Sequence, residues 1–208
     1  YIISTGVIHH LDNPGSALDF FDNNIKNDGV IYLMVYGNQS SYSINQVKKV
    51  FENINLNQDA RSIGIAKNLI NRLHNRHPAK IFAKNLNDFT YDSGIVDLLL
   101  HKNEIFFSIS DFVTLLSDHN LIIKNFYNGK IASITKYFLD DEEALNKIRN
   151  LSAEKRWILG QTLNWDDRKI QVICCKKNNI KNSLAYNPID LDKMYTYMNR
   201  GLRYKFSD

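Results

Sequence analysis

The sequence contains little cysteine, little proline and no long apolar run. Only two of its 208 residues are cysteine and three are proline. Cys174 and Cys175 are neighbours, and adjacent cysteines rarely bridge, so we expect neither a disulfide framework nor a zinc site. A reducing cytoplasm is therefore the expected compartment. Apolar runs such as residues 29–35 are much too short to cross a bilayer, so we predict no membrane span.

A long run of charge of one sign is also missing. The net charge is +4 and the pI is about 8.9, but the 26 basic residues are dispersed among 22 acidic ones. Binding to nucleic acid is therefore not indicated. A hydrophobic fraction of 44% with 23% charged residues is typical of a globular protein, and the length favours one main domain.

The first 37 residues carry the pattern of a parallel sheet. Residues 1–8 read as a strand that we expect to be buried on both faces, because they lack the polar alternation of a solvent-facing strand. Asn13 and Pro14 are a typical helix start, and apolar residues at helical spacing follow. Residues 29–37 form a second apolar strand. One strand, one crossover helix and another strand predict a βαβ unit.

The rest of the chain alternates helical and extended patterns. A polar break at residues 38–43 precedes two amphipathic helices. Five apolar residues share one face of the first of these helices: Ile44, Val47, Val50, Phe51 and Ile54. Ser110 is predicted to cap a later helix. The other predicted elements are a strand at residues 120–128, one or two helices within residues 139–160 with Leu145, Ile148, Leu151, Trp157 and Leu159 as core candidates, and a strand at residues 168–177.

Two stretches carry a resemblance to a known family. STGVIHHLDNPGSALDFFDNNIKNDGVIYLMVYG resembles the fourth strand, next helix and fifth strand of class I, Rossmann-like S-adenosylmethionine-dependent methyltransferases, where an apolar strand runs into V-[LI]-H-H-L, an acid and a proline. DLLLHKNEIFFSISDFVTLLSDHNLIIKNF is similar to a segment of a bacterial subgroup that includes protein-lysine methyltransferases. The resemblance covers about residues 1–177.

The resemblance implies an α/β fold with a Rossmann-like methyltransferase sheet, incomplete at the N-terminus and carrying a helical insertion. Residues 1–37 and 109–177 would form the C-terminal half of the methyltransferase domain, residues 38–108 the mainly helical insertion, and residues 178–208 a C-terminal appendage. The glycine-rich loop and the ribose-binding acid of the family belong to earlier strands, and the nine glycines here include no G-x-G cluster. We therefore expect a missing N-terminal half, or a partner chain, to complete the cofactor site.

The resemblance also implies the site residues. Cofactor-binding residues would lie at the carboxyl end of the first strand, since ligands of open parallel sheets lie beyond the carboxyl ends of strands. A histidine titrates near neutral pH and could accept the proton of the methyl acceptor, and a tyrosine at the same edge could touch substrate. The predicted residues are Ser4, Thr5, Gly6 and Val7 for S-adenosylmethionine, His9, His10 and Tyr36 for catalysis, and Asp97 and His101 for substrate.

Each assignment has a structural alternative. The histidines could be satisfied by loop carbonyls or solvent, Tyr36 could be an ordinary rim residue, and Asp97 and His101 could cap or pack a helix. Adjacent histidines on a strand point apart, so we predict no metal site. The expected function is methyl transfer to a protein side chain, with lysine as one candidate, or to a small molecule. The alternative is a truncated, non-catalytic remnant or partner-binding subunit.

Overall fold

The computed structural model describes residues 1–127, 131–164 and 168–178. Within these ranges the four strands form one open sheet in the order β1-β2-β4-β3. The strands are β1 (Ile2–Thr5), β2 (Ile31–Tyr36), β3 (Leu121–Phe126) and β4 (Lys169–Lys176). The fold is α/β, as the sequence predicts.

The predicted βαβ unit is present. β1 pairs with β2 in parallel, and the crossover helix α1 (Pro14–Asn24) joins them. Asn13 occupies the N-cap position, although its side chain accepts no capping hydrogen bond there. The helix ends at Asn24, where the N–H of Ile25 donates to the carbonyl of Phe21 at 2.9 Å. The first helix and its two strands therefore lie close to their predicted positions.

The last strand runs antiparallel to its neighbours, an orientation that the sequence leaves open. β4 pairs antiparallel with both β2 and β3, so the sheet is mixed, and the strand formed last along the chain lies inside it. Alternate residues share a face of the sheet. The buried face contains Ile31, Leu33 and Val35 of β2 and Ile170, Val172 and Cys174 of β4.

The prediction that residues 1–8 are buried on both faces is wrong. The strand ends at Thr5, and the side chains of Tyr1 and Ile3 are 88% and 66% exposed. The core cluster of this unit places helical residues against the face of Leu33, whereas Ile3 belongs to the opposite face. The apolar composition of β1 alone could not distinguish these two environments.

Three further helices accompany this sheet: α6 (Ile109–Asp118), α7 (Glu142–Arg149) and α8 (Ala153–Leu163). The predicted cap of α6 is off by two residues. The N–H of Asp111 donates to the Oγ of Ser108, not Ser110, at 3.0 Å. Leu145, Ile148 and Trp157 are buried as predicted, Leu151 is half-buried, and Leu159 is 41% exposed, which makes the prediction of Leu159 as core wrong.

The chain divides into two compact units, one of residues 1–39 with the described residues from 107 onward, and one of residues 40–106. Helix α2 (Asn38–Asn53) begins two residues before the second unit. The other helices of this unit are α3 (Ala60–Arg72), α4 (Pro78–Lys84) and α5 (Asp92–Ile95), and a π-helical turn, Val96–Leu100, continues α5.

The second unit has its own apolar core. Ile44, Phe51, Ala66, Ile70 and Leu98 are among its buried members. The predicted polar break at residues 38–43 is wrong, because α2 starts there directly. Of the residues placed on one apolar face of this helix, Ile44, Val47 and Phe51 are buried, whereas Val50 and Ile54 are 47% and 54% exposed.

Charged side chains are buried within the second unit. The ammonium of Lys80 donates to the carbonyls of Asn71 and Leu73, at 2.6 and 2.7 Å, and so caps the C-terminal end of α3. Lys48 forms an ion pair with Glu104, and their side chains are 7% and 1% exposed. The hydrogen bonds of Lys80 and the ion pair of Lys48 satisfy charged groups that would otherwise be costly to bury.

The domain assignment of the sequence stays a prediction. The two units are observed, but their identity as half of a methyltransferase domain and an insertion is an interpretation. The predicted appendage, residues 178–208, lies outside the described residues except for residue 178. Among the helices of the described ranges, none combines the length and the apolar composition that crossing a membrane requires.

Candidate active site

The carboxyl end of β1 turns sharply at Gly6. Its φ of +69° is a left-handed value that side-chain-bearing residues rarely adopt, and its N–H donates to the carbonyl of Met34 at 3.1 Å. Ser4 is buried on the core face, whereas Thr5 is exposed and Val7 is 51% exposed. The four predicted cofactor-binding residues therefore present a hydroxyl, a glycine backbone and an apolar side chain at the end of the strand.

The two histidines follow on a short 3₁₀ turn, Ile8–His10. His9 is fully buried and His10 is half-buried. Their ring centroids are 4.2 Å apart, with the planes tilted by 47°. The expectation that the histidines alternate directions along a strand is wrong, because the strand has ended and the turn brings the two rings into contact.

Tyr36 joins the histidines from the next strand. It is the last residue of β2, and its ring centroid lies 4.5 Å from that of His9. β1 and β2 are parallel, so their carboxyl ends meet at one edge of the sheet. The structure therefore brings the three predicted catalytic residues together.

Arg168 completes this group, which we call the aromatic–arginine cluster: His9, His10, Tyr36 and Arg168. The guanidinium carbon of Arg168 lies 3.7 Å from the centroid of the Tyr36 ring, which is a cation–π geometry. Arg168 is only 8% exposed. No local sequence pattern marks Arg168 for this role, since Arg168 precedes β4 and meets Tyr36 through the antiparallel register that pairs Tyr36 with Lys169.

Backbone and amide hydrogen bonds fix the position of the cluster. The N–H of Gly37 donates to the carbonyl of Arg168 at 2.8 Å, and the N–H of Phe107 donates to the carbonyl of Tyr36 at 2.9 Å. The buried amide of Gln161 accepts from the N–H of Ile109 and donates to the carbonyl of Phe107. The end of β2 is thus tied to the start of α6, to α8 and to the start of β4.

The predicted substrate-binding residues belong to the second unit. Asp97 is half-buried within the π-helical turn, and His101 directly follows that turn. His101 lines a cavity of about 500 Å³ in this unit, and Asp97 is not among the lining residues.

Chemically, the aromatic–arginine cluster combines proton acceptors with a fixed cation. Two imidazoles and a phenol can accept or donate protons, and the guanidinium keeps a positive charge at any accessible pH. The cluster lies at the carboxyl ends of the parallel strands β1 and β2. This is the position where ligands of open α/β sheets bind.

Comparison with known proteins identifies the fold. No family model matches the sequence. Among solved structures, PKMT2 from Rickettsia typhi, a protein lysine methyltransferase, matches with a TM-score of 0.59 at 12% identity, and PKMT2 in complex with AdoHcy matches with 0.65 at 11%. This chain has a class I methyltransferase fold. The match covers 86% of this chain but only 35% of either PKMT2 chain, so the chain spans about a third of their length.

The fold predicted from the sequence resemblance is therefore confirmed. The match at 11–12% identity concerns the fold alone, and the roles of individual residues rest on the geometry described above. The predicted absence of a metal site stays a prediction, but its premise that the histidines point apart is wrong.

Proposed function

We propose that this chain contributes to S-adenosylmethionine-dependent methyl transfer to a protein side chain, with lysine as one candidate acceptor, or to a small molecule. The observation that carries the proposal is the aromatic–arginine cluster at the carboxyl ends of β1 and β2. The fold is shared with PKMT2, of which an AdoHcy complex is known. AdoHcy is the product that S-adenosylmethionine leaves after it donates its methyl group.

The turn after β1 suits one side of such a cofactor. Gly6 has no side chain, so its backbone can come close to a ligand, and the exposed Thr5 can offer its hydroxyl. Ser4, Thr5, Gly6 and Val7 are the residues that would hold it. The cofactor, when bound, would supply a methyl group made electrophilic by the positive sulfur.

The chain's own residues would then orient the acceptor and take up its proton. His10, which is half-buried, is the better placed of the two imidazoles for contact with an acceptor, while the buried His9 supports it through ring contact. Tyr36 would hold the acceptor by a hydrogen bond, and Arg168 would hold the Tyr36 ring. Asp97 and His101 are proposed to contact the substrate.

A second segment is proposed to complete the site. Within the described ranges β1 pairs only with β2, so its other edge is open, and three apolar residues in or beside this strand, Tyr1, Ile3 and Val7, are largely exposed. An exposed apolar edge strand favours pairing with a further strand. Because the sequence has no glycine-rich loop, we propose that a missing N-terminal half or a partner chain supplies both that strand and that loop.

The alternative function is a non-catalytic remnant or a partner-binding subunit. The absence of a G-x-G cluster from the sequence favours it, because the chain alone then offers only part of a cofactor site. For either function we propose a cytoplasmic protein, in keeping with two cysteines that are free and buried, and we propose no nucleic-acid partner.

Isothermal titration of S-adenosylhomocysteine tests the enzymatic proposal. We expect binding by the protein extended upstream of Tyr1, and its loss in Gly6→Val, where a branched side chain would stand at a φ of +69°. Gly64→Ala is the matched control, because a Cβ at Gly64 meets nothing within 4 Å. An absence of binding by the extended protein would remove the enzymatic claim.

The reading frame upstream of Tyr1 separates the two functions. A continuous frame that encodes a strand followed by a G-x-G-x-G turn supports the methyltransferase, because that turn would supply the second side of the cofactor site. A stop codon immediately upstream supports the remnant.

A further inference from the structure

A cavity within the second unit lies outside the aromatic–arginine cluster and has a construction of its own. Its volume is about 500 Å³, which is in the range of ligand sites. The floor is apolar and consists of Phe51, Leu56, Leu99 and Leu100, and all but the half-buried Leu56 are nearly fully buried. Leu99 and Leu100 belong to the π-helical turn, a backbone feature that occurs frequently at functional sites.

The walls of the cavity are held in place by hydrogen bonds. The end of α2 closes with a Schellman motif: the N–H of Leu56 donates to the carbonyl of Phe51, and the N–H of Asn55 to that of Glu52, both at 3.0 Å. Asn55 has the left-handed φ of +53° that this motif requires. The amide of Gln58 donates to the carbonyl of Leu100 at 3.4 Å and so connects the loop to the opposite wall.

The rim of the cavity is polar and exposed. It includes the amides of Asn55 and Asn57, and an amide offers the same combination of donors and acceptor that a peptide group complements. Glu52 and Lys102 carry opposite charges, so the rim selects neither anions nor cations strongly. Because these rim residues are exposed, the cavity is open to solvent and leaves room for the flanking groups of a longer polymer to extend beyond it.

We propose that this cavity binds a peptide segment of a protein substrate. An apolar side chain of the segment packs on the floor, and its flanking peptide groups hydrogen-bond to Asn55 and Asn57. His101, which was predicted from the sequence to bind substrate, borders the same cavity. The proposal rests on the proposed function, since it names a protein as the class of methyl acceptor.

Nuclear magnetic resonance of the 208-residue protein tests the proposal with acetyl-Gly-Leu-Gly-amide as the probe. We expect the probe to shift the backbone amide signals of Leu56, Leu100 and Lys102. Replacement of leucine by alanine in the probe should weaken binding about tenfold, because apolar area is lost from the floor.

Two variants remove the rim amides without disturbing the backbone. Asn55→Gly keeps the left-handed conformation, and Asn57→Ala keeps the N–H that donates to the Oγ of Ser62. Each should weaken probe binding about fivefold, as expected for one lost hydrogen bond. Asn75→Ala, an exposed position that does not line the cavity, is the matched control and should bind as the unchanged protein does.

Three outcomes would overturn the proposal. The probe could cause no shift of the cavity amides, or it could bind Asn55→Gly and Asn57→Ala as tightly as it binds the unchanged protein. Free L-leucine could also bind as tightly as the probe, which would indicate a small-molecule site. The measurement needs no cofactor. Peptide binding, together with a failure of the protein extended upstream of Tyr1 to bind S-adenosylhomocysteine, would therefore reject the proposed methyl transfer and retain the peptide site, and the reverse result would reject only the peptide site.

Discussion

Single side chains at the carboxyl edge of the sheet owe their contacts to strand pairing. Tyr36 and Arg168 meet because β2 and β4 run antiparallel with Tyr36 opposite Lys169. The aromatic ring of Tyr36 lies between Arg168 and His9 in this chain of contacts. The guanidinium is planar and weakly hydrated compared with an ammonium, which suits it to a buried position over a ring.

Arg168→Met should lower the free energy of unfolding by about 1–2 kcal/mol, because a buried cation–π contact is lost while the aliphatic volume is kept. Arg168→Lys keeps the charge but loses the planar stacking, so it should lower the free energy of unfolding by at least half as much as Arg168→Met does. Urea denaturation followed by circular dichroism measures both. A Met variant as stable as the unchanged protein would show that the stacked guanidinium contributes nothing.

The two cysteines should be unreactive in the folded protein. Burial raises the pKa of the Cys174 thiol far above its usual range and also raises the pKa of Cys175, so neither thiolate forms readily near neutral pH. At about pH 8, reaction with Ellman's reagent should proceed only as fast as the protein unfolds. In about 8 M urea, which denatures most proteins, both thiols should react at once. Fast labelling of either cysteine in the native protein would contradict this expectation.

The sequence supplied part of the candidate site and could not supply the rest. Gly6, His9, His10 and Tyr36 stood out because strand ends and a family motif mark them locally. Arg168 carried no such mark, since its neighbour in space is remote along the chain. The contact between the histidine rings was also missed, because it depends on the 3₁₀ turn that replaces the end of the predicted strand.

Helices and strands were predicted best where apolar periodicity and caps agree. α1, β2 and β4 follow this rule, and their ends differ from expectation by only a few residues. The predictions failed where two candidates compete locally: Ser108 and Ser110 both precede acidic and apolar residues, and only the backbone shows which one caps α6. Residues 79–108 show no clear helical periodicity in the sequence, because α4, α5 and the π-helical turn are each shorter than the window over which periodicity is visible.

Asp59 should make the stability of α3 depend on pH. Its carboxylate accepts a hydrogen bond from the N–H of Ser62 at 2.8 Å, and this bond lowers the pKa of Asp59 below its usual value. A lowered folded pKa means that the stabilisation is complete above the unfolded pKa near 3.8 and is lost as the pH falls through the folded value.

Asp59→Asn retains a capping oxygen without the charge, so it should keep most of the stability at pH 7 and lose the acid dependence of this helix. Asp59→Ala should lose the stability at pH 7 as well as the acid dependence, because alanine has no capping oxygen. Hydrogen exchange of the first amides of α3 between pH 2.5 and pH 7, which spans roughly the titration range of a carboxyl group, reports the difference. Identical pH profiles for Asp59→Asn and the unchanged protein would contradict the assignment.

Glycine to alanine substitutions in two helices should change stability in opposite directions. A Cβ at Gly160 of α8 would lie 1.7 Å from the carbonyl oxygen of Ile131, so Gly160→Ala should destabilise the protein by about 1–3 kcal/mol. Gly64 in α3 has open space around it, so Gly64→Ala should stabilise its helix by about 0.5–1 kcal/mol. Thermal denaturation of both variants gives the two signs, and a neutral Gly160→Ala would contradict the close approach of α8.

On the scale of the whole molecule, the first unit presents an open sheet edge with apolar side chains. Tyr1, Ile3 and Val7 are more than half exposed. On β2, Tyr32 and Met34 are half-buried on the face shared with Ile3. Protein surfaces of this kind mark interaction sites or association hazards. The edge therefore supports the proposal that another segment or chain pairs with β1.

The 208-residue chain should self-associate with increasing concentration, and Ile3→Lys should suppress this association without loss of stability, because a charge on an edge strand opposes pairing. Ile54→Lys is the matched control, since Ile54 is 54% exposed but lies just beyond the end of a helix. Light scattering at increasing protein concentration measures the effect. Equal suppression by both variants would point to net charge and not to the strand edge.

The position of β4 has a consequence for how the protein forms during synthesis. In the sheet that the described residues form, β4 lies between β2 and β3 and hydrogen-bonds to both, and it is the last of these four strands to be translated. A nascent chain that has emerged only as far as β3 therefore holds two sheet fragments without their central neighbour. The first unit can acquire its cooperative structure only after the ribosome has released almost all of the described chain, whereas the helices of residues 40–106 can assemble much earlier from mostly local contacts.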